Sequence, residues 1–357
     1  MESMNRKEAG RIGIADVAAK AGVSHATVSR VMNGNFTVDQ KIAARVRSAA
    51  DELRYHPSPV GRSLARGKTE TIGILVPDLA NPSFQALLKS VSNTAARDGY
   101  RVLIADSSET PSEESILAGE ARRRGDGVVL CAPRMGRGEL EELAPSLQPM
   151  VLINRTTADG APSLSIDYRQ GIQELAEHLY GLGHRKIAFL AGPDSSASNA
   201  HRVRGLEEFC SRHPDVQLTT VPGGSSFDAG HRAAGDVLGL DITAVLAFND
   251  LVAMGLLSSI HEHGAQVPGE LSVAGFDDIP FAAYTTPSLT TAAVPIHEVG
   301  EQAWLWLRDL IQGVPAERRQ PSKAIFKPQL QIRGSTGPAP HRPTDAPVAA
   351  TGTNSPE

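Results

Sequence analysis

The chain has 357 residues, 41% of them hydrophobic but only 4% aromatic, so it can bury one or two large, mainly aliphatic cores. No run of about 18 apolar residues occurs, which excludes a membrane-spanning helix, and the polar N-terminus lacks the apolar segment of a secretory signal. Cys131 and Cys210 could pair in principle, but their apolar or helical contexts favour free thiols of a reducing compartment. We therefore expect a cytoplasmic protein.

The net charge of -5 conceals an uneven distribution. Residues 1–68 contain 12 basic and 6 acidic residues, whereas the remainder contains 23 basic and 34 acidic residues. A basic front end on an acidic body is expected if only the front end contacts a polyanion such as nucleic acid. A solvated charged surface explains the charge equally well, so the sequence motifs have to decide between the two.

Three short helices are predicted at the start of the chain. The first covers about residues 14–21, with Gly13 as a candidate N-cap and Gly22 as its end. The second begins at Ser24, a good N-cap residue, and the third covers about residues 39–54 with apolar side chains on one face. Helices joined by a tight glycine turn are typical of a helix-turn-helix.

After a connector at residues 56–68 that contains Pro, Gly and basic residues, short apolar runs alternate with helical patterns. The predicted strands are Ile72–Val76, Val102–Ala105, Val128–Leu130, Val151–Ile153, Leu164–Ile166, Ile187–Leu190, Ala244–Phe248, Val273–Phe276 and Ala292–Val294. The predicted helices include Pro82–Asp98, Arg169–Leu182, His201–Ser211, Asp228–Leu238 and Leu251–Gly264. Apolar strands that alternate with helices indicate doubly wound parallel sheets, and about ten strands exceed one comfortable sheet. We therefore predict an all-α head and an α/β bilobed core of two doubly wound parallel sheets, divided near Asp167–Gln170.

The predicted domain boundaries are 1–57 for the head, 58–68 for a hinge or linker, 69–334 for the core and 335–357 for a disordered tail. Lobe 1 of the core is predicted at about 70–168 and 297–325, and lobe 2 at about 169–296 and 326–334. The tail has no leucine heptad, so no tetramerising coiled coil is predicted.

The most specific pattern runs from Asp16 to Gly34 and reads DVAAKAGVSHATVSRVMNG. Further motifs follow in order: Tyr55-His56-Pro57, Arg62-Ser63-Leu64, Ile72–Asp78, Gly183–Ala188, Asn249-Asp250, Gly275–Ile279 and Pro287–Thr291. In these motifs and their spacing over residues 11–334, the chain resembles the lactose/galactose-repressor family of bacterial transcriptional regulators. The resemblance implies a helix-turn-helix head, a periplasmic-binding-protein-like core, operator DNA as partner, a homodimer and a small polar effector such as a sugar.

In a helix-turn-helix, the N-terminal side chains of the second helix reach base edges in the major groove. The resemblance places His25, Ala26 and Arg30 at base-reading positions, and Arg30 can donate two hydrogen bonds to a guanine. Hydroxyl and amide groups on the same helix suit phosphate contacts, which fix register. The predicted DNA-binding set on this helix is Ser24, His25, Ala26, Thr27, Ser29, Arg30 and Asn33. A solvated cation at Arg30, or a phosphate contact from His25, are the alternatives.

The connector completes the predicted DNA-binding set with Arg62 and Leu64. In the resembled family this stretch forms a hinge helix only on operator DNA, where a leucine enters the minor groove, and Leu64 matches that leucine. An exposed leucine among basic residues suits such a wedge, although a contact with the effector core is the alternative. Gly61 stands where the family often has alanine and lowers helix propensity by about 1 kcal/mol, so the hinge helix should depend on DNA and dimer contacts.

Open α/β sheets bind ligands beyond the carboxyl ends of their strands. Arg202, Asn249 and Asp277 follow predicted strands, and their guanidinium, amide and carboxylate groups suit sugar hydroxyls, which donate and accept. The resemblance makes these three the usual effector ligands of the family. Phe84, Asn154 and Asp167 are additional lining candidates. Helix capping is the alternative for Asn249 and Asp277, and core packing is the alternative for Phe84.

Two further features of the sequence bear on the effector and on rival functions. Ser196 and Ser225 replace the residues typical of the purine-sensing branch, which disfavours a purine effector. Neither a phosphate-binding glycine motif nor a nucleophile elbow occurs, which argues against an enzyme, and no metal or cofactor is predicted. A sugar-binding transport receptor would share the bilobed fold, but the basic helix-turn-helix argues against it. The prediction is a repressor whose operator affinity is controlled by an effector.

Overall fold

The computed structural model describes residues 12–32, 38–55, 67–158, 160–319 and 322–340. These residues belong to two units, residues 1–70 and residues 71–357, which we describe separately. Three predicted DNA-binding residues, Asn33, Arg62 and Leu64, lie outside the described residues. Within the described ranges, no helix has both the length and the apolar composition needed to cross a bilayer.

The first unit contains three helices, α1 (Ile14–Ala21), α2 (His25–Met32) and α3 (Gln40–Glu52). The predicted N-terminal signals are confirmed: Ser24 Oγ accepts a hydrogen bond from the Thr27 amide at 3.2 Å. Gly22 ends α1 at φ 64°, a left-handed conformation that a side chain would disfavour. The helices bury a small aliphatic core of Val17, Ala18, Ala21, Val28, Val31, Val46, Ala49 and Ala50.

Lobe 1 of the second unit is built on a six-stranded sheet whose order is β11-β5-β4-β3-β1-β2, with every pairing parallel. Its strands are β1 (Thr71–Val76), β2 (Arg101–Asp106), β3 (Gly127–Cys131), β4 (Met150–Ile153), β5 (Ser163–Ile166) and β11 (Lys323–Phe326). Its helices are α4 (Pro82–Arg97), α5 (Pro111–Arg124), α6 (Arg137–Leu147) and α11 (Ile296–Ile311). Parallel strands covered on both faces explain why β1, β3 and β4 are almost wholly buried.

Lobe 2 is built on a four-stranded parallel sheet whose order is β7-β6-β8-β9. Its strands are β6 (Lys186–Ala191), β7 (Gln217–Pro222), β8 (Ala244–Ala247) and β9 (Ser272–Ala274), and an antiparallel pair joins β10 (Thr291–Ala293) to β12 (Gln329–Gln331). Its helices are α7 (Tyr168–Gly181), α8 (Ala197–Arg212), α9 (Phe227–Leu238) and α10 (Asp250–Glu262). The chain passes between the lobes after β5, β10 and β11. The two predicted parallel sheets are thus confirmed.

One detail differs from the sequence predictions, and one agrees with them. The predicted strand at Val102–Ala105 belongs to β2, but β2 is not buried: Leu103 is 41% and Ile104 is 52% exposed because β2 forms an edge of its sheet. The two cysteines are free, as predicted, with Cys131 buried and Cys210 half-buried.

Residues 334–339 form a C-terminal strap on lobe 2, although the disordered tail was predicted to begin at residue 335. Ser335 is fully buried, and its Oγ donates a hydrogen bond to a carbonyl of β9 at 2.6 Å. His184, also fully buried, places Nε2 at 3.0 Å from the Gly337 carbonyl oxygen. Burial lowers the pKa of His184, which keeps the ring neutral and suited to these hydrogen bonds. The first residues of the predicted tail are therefore part of the fold.

Helices α9 and α10 approach each other so closely that both contain glycine at the contact. A Cβ atom on Gly255 would collide with the carbonyl oxygen of Phe227. We therefore expect Gly255→Ala to lower the free energy of unfolding by about 2 kcal/mol or more, because backbone atoms have to move. Gly235→Ala, on α9 with open space around the added Cβ, is the matched control and should raise it by about 1 kcal/mol. Urea unfolding of both variants measures the difference, and equal stabilities would contradict the close-contact explanation.

Candidate functional site

In the first unit, α2 presents one polar face to solvent while Val28 and Val31 face the core. His25, Ala26 and Arg30 are all exposed, as groups that are to reach base edges must be. The exposed Ser24 and the half-buried Thr27 use their hydroxyl groups locally, since the two oxygens are 3.0 Å apart. The Ser24 hydroxyl therefore caps the helix in this structure. Ser29 is half-buried on the same helix.

In the second unit, the carboxyl ends of the two parallel sheets face a cavity between the lobes, here called the interlobe cavity. Five of the six predicted effector residues line it, namely Phe84, Asn154, Arg202, Asn249 and Asp277. The remaining one, Asp167, is not among the lining residues; its Oδ1 accepts a hydrogen bond from the Gln170 amide at 2.9 Å and caps α7. Asp167 therefore caps a helix, an alternative that the sequence had raised only for Asn249 and Asp277. The cavity has a volume of about 40 Å³.

Arg202 is the most unusual side chain of the cavity, because it is charged yet only 1% exposed. Its guanidinium lies over three aromatic rings, 4.3 Å from the centroid of Tyr168, 4.5 Å from Phe248 and 4.1 Å from Phe276. Among the described residues, its Nε and Nη1 atoms have no hydrogen-bond partner. Burial lowers the pKa of Arg202 to about 10, which still leaves it charged at neutral pH. Buried donors of this kind need an acceptor from elsewhere.

Asp277 faces the same cavity from the loop after β9. Burial raises the pKa of Asp277 to about 7, and the positive charge of Arg202 opposes that rise. Its backbone is held at φ 110°, a conformation rarely adopted by residues other than glycine. Asp250 holds the loop in place, because its Oδ2 accepts from the Ile279 amide at 2.8 Å and its Oδ1 accepts from the Thr291 hydroxyl at 2.6 Å. The buried Asp250 therefore fixes the loop that carries the Asp277 carboxylate.

The two amides of the predicted set are partly engaged by the protein. Asn249 caps α10, with its Oδ1 accepting from the Val252 amide at 2.9 Å, while its Nδ2 donates to the Ser225 carbonyl at 2.9 Å. Asn154 donates from Nδ2 to the Tyr168 hydroxyl at 2.9 Å and is held at φ 59°. Asn154 thus orients Tyr168 beneath Arg202, and Asn249 both caps a helix and lines the cavity.

Several lining residues were absent from the sequence prediction. They include Glu109, Arg134, Tyr168, Ser198, Phe248 and Ile296. Tyr168 and Phe248 lie within two residues of strand ends, so the rule that located Asn249 could have found them. Glu109 and Arg134 lie on loops that only the fold brings together.

Comparisons with known proteins agree with both units. A family model described as bacterial regulatory proteins, lacI family, matches residues 13–58, and one described as a periplasmic binding protein-like domain matches residues 176–336. The HTH-type transcriptional repressor CytR of Escherichia coli K12 is 34% identical over 332 residues, covering 91% of this chain and 96% of that protein.

Two solved structures are similar to this chain in three-dimensional fold as well as in sequence. A Lac repressor dimer bound to operator and the anti-inducer ONPF has a TM-score of 0.79 at 27% identity, covering 91% of this chain and 99% of that chain. A complex of the transcriptional regulator CelR with cellobiose has a TM-score of 0.63 at 26% identity, covering 91% and 100%. The fold and the two sites define an allosteric DNA-binding regulator of transcription. The chain belongs to the lacI family of bacterial regulatory proteins.

Proposed function

We propose that this regulator is a cytoplasmic repressor that binds operator DNA as a homodimer and releases or tightens that binding when a neutral sugar occupies the interlobe cavity. The observation that carries the proposal is the buried Arg202, whose donors lack partners among the described residues and which lines the same cavity as the carboxylate of Asp277. A donor and an acceptor that line one cavity match a sugar, whose hydroxyl groups can accept from one and donate to the other. Its relatives are transcriptional regulators, and we propose no enzymatic activity.

On the DNA side, the proposal assigns base reading to the exposed His25, Ala26 and Arg30 of α2. Positioning on phosphates is assigned to Thr27 and Ser29, with further contacts from Ser24, Asn33, Arg62 and Leu64 on the basis of the family resemblance. The proposed division into head, hinge, core and tail follows the boundaries given above. A single head makes few contacts, so a two-fold dimer on a pseudo-palindrome is needed for specificity.

Exposed apolar side chains on both lobes support the homodimer. Leu103 and Ile104 lie on the open edge of β2, and Phe281 and Tyr284 are 55% and 86% exposed shortly after Asp277 in the chain. Apolar groups left in water at a sheet edge and on a turn favour association with a second chain. The related Lac repressor structure is a dimer on operator DNA. The turn after Asp277 would thus connect effector binding to the dimer interface.

The small cavity volume indicates how the effector would act. About 40 Å³ is too small for a sugar ring, so the proposal requires the cavity to enlarge when the effector binds, by movement of the lobes. The chain crosses between the lobes in three places, which are the natural hinges for that motion. A hundredfold change in operator affinity requires about 2.7 kcal/mol of coupling, which is within the usual allosteric range.

Binding of the purified full-length protein to pseudo-palindromes from its own genome tests the proposal directly. We expect a gel-shift preference over random duplex that changes when cellobiose, ribose or galactose is added, and a rise in the thermal midpoint with the same sugar. Asp277→Asn should remove the response to sugar but keep operator binding. A protein with no preference for any palindrome, or an Asp277→Asn variant that responds fully, would contradict the proposal.

The affinity for sugar should also depend on pH. A hydroxyl group that donates to Asp277 requires the ionised carboxylate, and the pKa of Asp277 in the free protein is about 7. Affinity should therefore fall as the pH decreases below about 7, by up to about tenfold per pH unit, because a proton must leave before the sugar binds. Isothermal titration between about pH 6 and pH 8 measures the slope. A wild-type affinity that stays constant between about pH 6 and pH 8 would show that the sugar does not depend on an ionised Asp277.

A further inference from the structure

One wall of the interlobe cavity is an ion pair between loops of lobe 1. Glu109 follows β2 and Arg134 follows β3, and both line the cavity with Arg202 and Asp277. Arg134 Nε donates to Glu109 Oε2 at 2.6 Å, and Arg134 Nη2 donates to Glu109 Oε1 at 2.9 Å. The Arg134 side chain is 3% exposed, and that of Glu109 is 23% exposed. The carboxylate thus fills the two-pronged face of the guanidinium, which is the face that binds carboxylates and phosphates.

The ion pair is held rigidly from behind. The fully buried Glu114 accepts hydrogen bonds from the backbone amides of Arg134 and Met135, both at 2.7 Å. Arg134 Nη1 also donates to the Ala132 carbonyl at 3.0 Å, which leaves the guanidinium little freedom to turn. Both loops use strained backbone, with φ 45° at Ala132 and φ 57° at Glu109. Such strain is typical of positions where a site fixes geometry for binding.

The charges that line the cavity divide into two pairs of different character. Arg134 and Glu109 satisfy each other, whereas no hydrogen bond joins Arg202 to Asp277 among the described residues. A neutral ligand that bridges Arg202 and Asp277 leaves every charge paired. An anionic group near Arg134 would meet the negative charge of Glu109 and find the guanidinium already occupied, in a setting where unpaired buried charge is expensive.

We propose that Glu109 is a specificity-determining residue that restricts the cavity to neutral polyhydroxyl ligands and excludes sugar phosphates and sugar acids by occupying Arg134. This inference rests on the proposed function, in which the cavity binds the effector. It extends that function because it states which chemical class is rejected and which residue rejects it. It also implies that the anion-binding capacity of Arg134 is present but masked.

Removing the charge of Glu109 should expose that capacity. E109Q keeps the shape of the side chain, and we expect it to bind glucose 6-phosphate and glucuronate about tenfold or more tightly than the wild-type protein, since one charge-assisted hydrogen bond is worth that much. Its affinity for glucose should change by less than about threefold. E113Q, at an exposed position on α5, is the matched control and should bind all three as the wild-type protein does. Isothermal titration with the same three compounds provides the comparison.

Further variants separate Arg134 from other causes. The double variant E109Q/R134Q carries neither charge and should lose the acquired binding of glucose 6-phosphate and glucuronate. E109D retains the negative charge, but its side chain is too short for both contacts with Arg134. Its gain in affinity for glucose 6-phosphate and glucuronate should therefore be smaller than that of E109Q. If E109Q does not fold, E109D still tests the proposal, because it keeps a carboxylate near Arg134. An E109Q protein with wild-type affinity for both anions, or a gain that persists in the double variant, would overturn the proposal. Operator binding by the same proteins is measured separately, so that a failed repressor function is distinguished from a failed role of Glu109.

Discussion

Replacing Arg202 with methionine is expected to abolish the response to sugar while leaving the protein at least as stable as the wild type. The guanidinium is buried between three aromatic rings with two nitrogen atoms unpaired among the described residues. The rings offset part of the cost of burying the charge, and a ligand that accepts from the two nitrogen atoms would offset more. Methionine fills a similar volume, contacts aromatic rings favourably and carries no charge. Loss of two charge-assisted hydrogen bonds should weaken sugar binding at least about a hundredfold.

The variant is checked by isothermal titration with the sugar that shifts the wild-type protein and by its thermal midpoint. Arg204→Met is the matched control, because Arg204 is exposed on the same helix α8 and should affect neither quantity appreciably. If Arg202→Met binds sugar normally, Arg202 is not a ligand. If its thermal midpoint drops well below that of the control, the guanidinium stabilises the fold and is not held for binding.

The second large effect is expected on DNA. Arg30→Ala should reduce the preference for the operator over random duplex by about 1–3 kcal/mol, because a bidentate contact to guanine is lost. Its affinity for random duplex should decrease much less, since base contacts contribute little to non-specific binding. Competition gel shifts with single-base operator variants locate the position at which discrimination disappears.

Arg47→Ala supplies the control, because Arg47 is equally exposed but lies on α3. If Arg47 contacts a phosphate, Arg47→Ala should weaken binding to every duplex alike and reduce the salt dependence of binding. An Arg30→Ala protein that behaves in the same uniform way would show that Arg30 contacts phosphate. In that case Arg30 would contribute positive charge to DNA binding but would not read a base.

The first unit was predictable from sequence because its signals are local. A capping serine, a glycine at positive φ and apolar residues at helical spacing lie within a few positions of one another, and the three predicted helices agree with the structure to within two residues. The central strands β1, β3 and β4 were equally clear, because burial on both faces leaves uninterrupted apolar runs. The edge strands β7 and β11 were not predicted, since only one side of each is paired: β7 is largely polar, and β11 has only four residues.

The residues of the interlobe cavity also differ in how far they could be predicted from the sequence. Asn249 and Asp277 could be predicted because the ends of parallel strands converge at one edge of a sheet. The pairing of Glu109 with Arg134 could not, since these residues are on separate loops and nothing in either loop indicates the other. The role of Asp167 depended on whether its side chain turned toward the cavity or the helix, and its hydrogen bond to Gln170 is a local contact that the sequence left open.

The C-terminal strap has a practical consequence for anyone who handles this protein. A truncation at residue 334 would delete Ser335 from a fully buried position and leave His184 without the Gly337 carbonyl. Affinity tags, fluorophores or surface linkers should therefore be attached after Pro340. If a shortened chain expresses poorly, the cause is damage to the fold of lobe 2. A lack of activity of that chain in a reporter assay would then not test DNA binding or sugar binding.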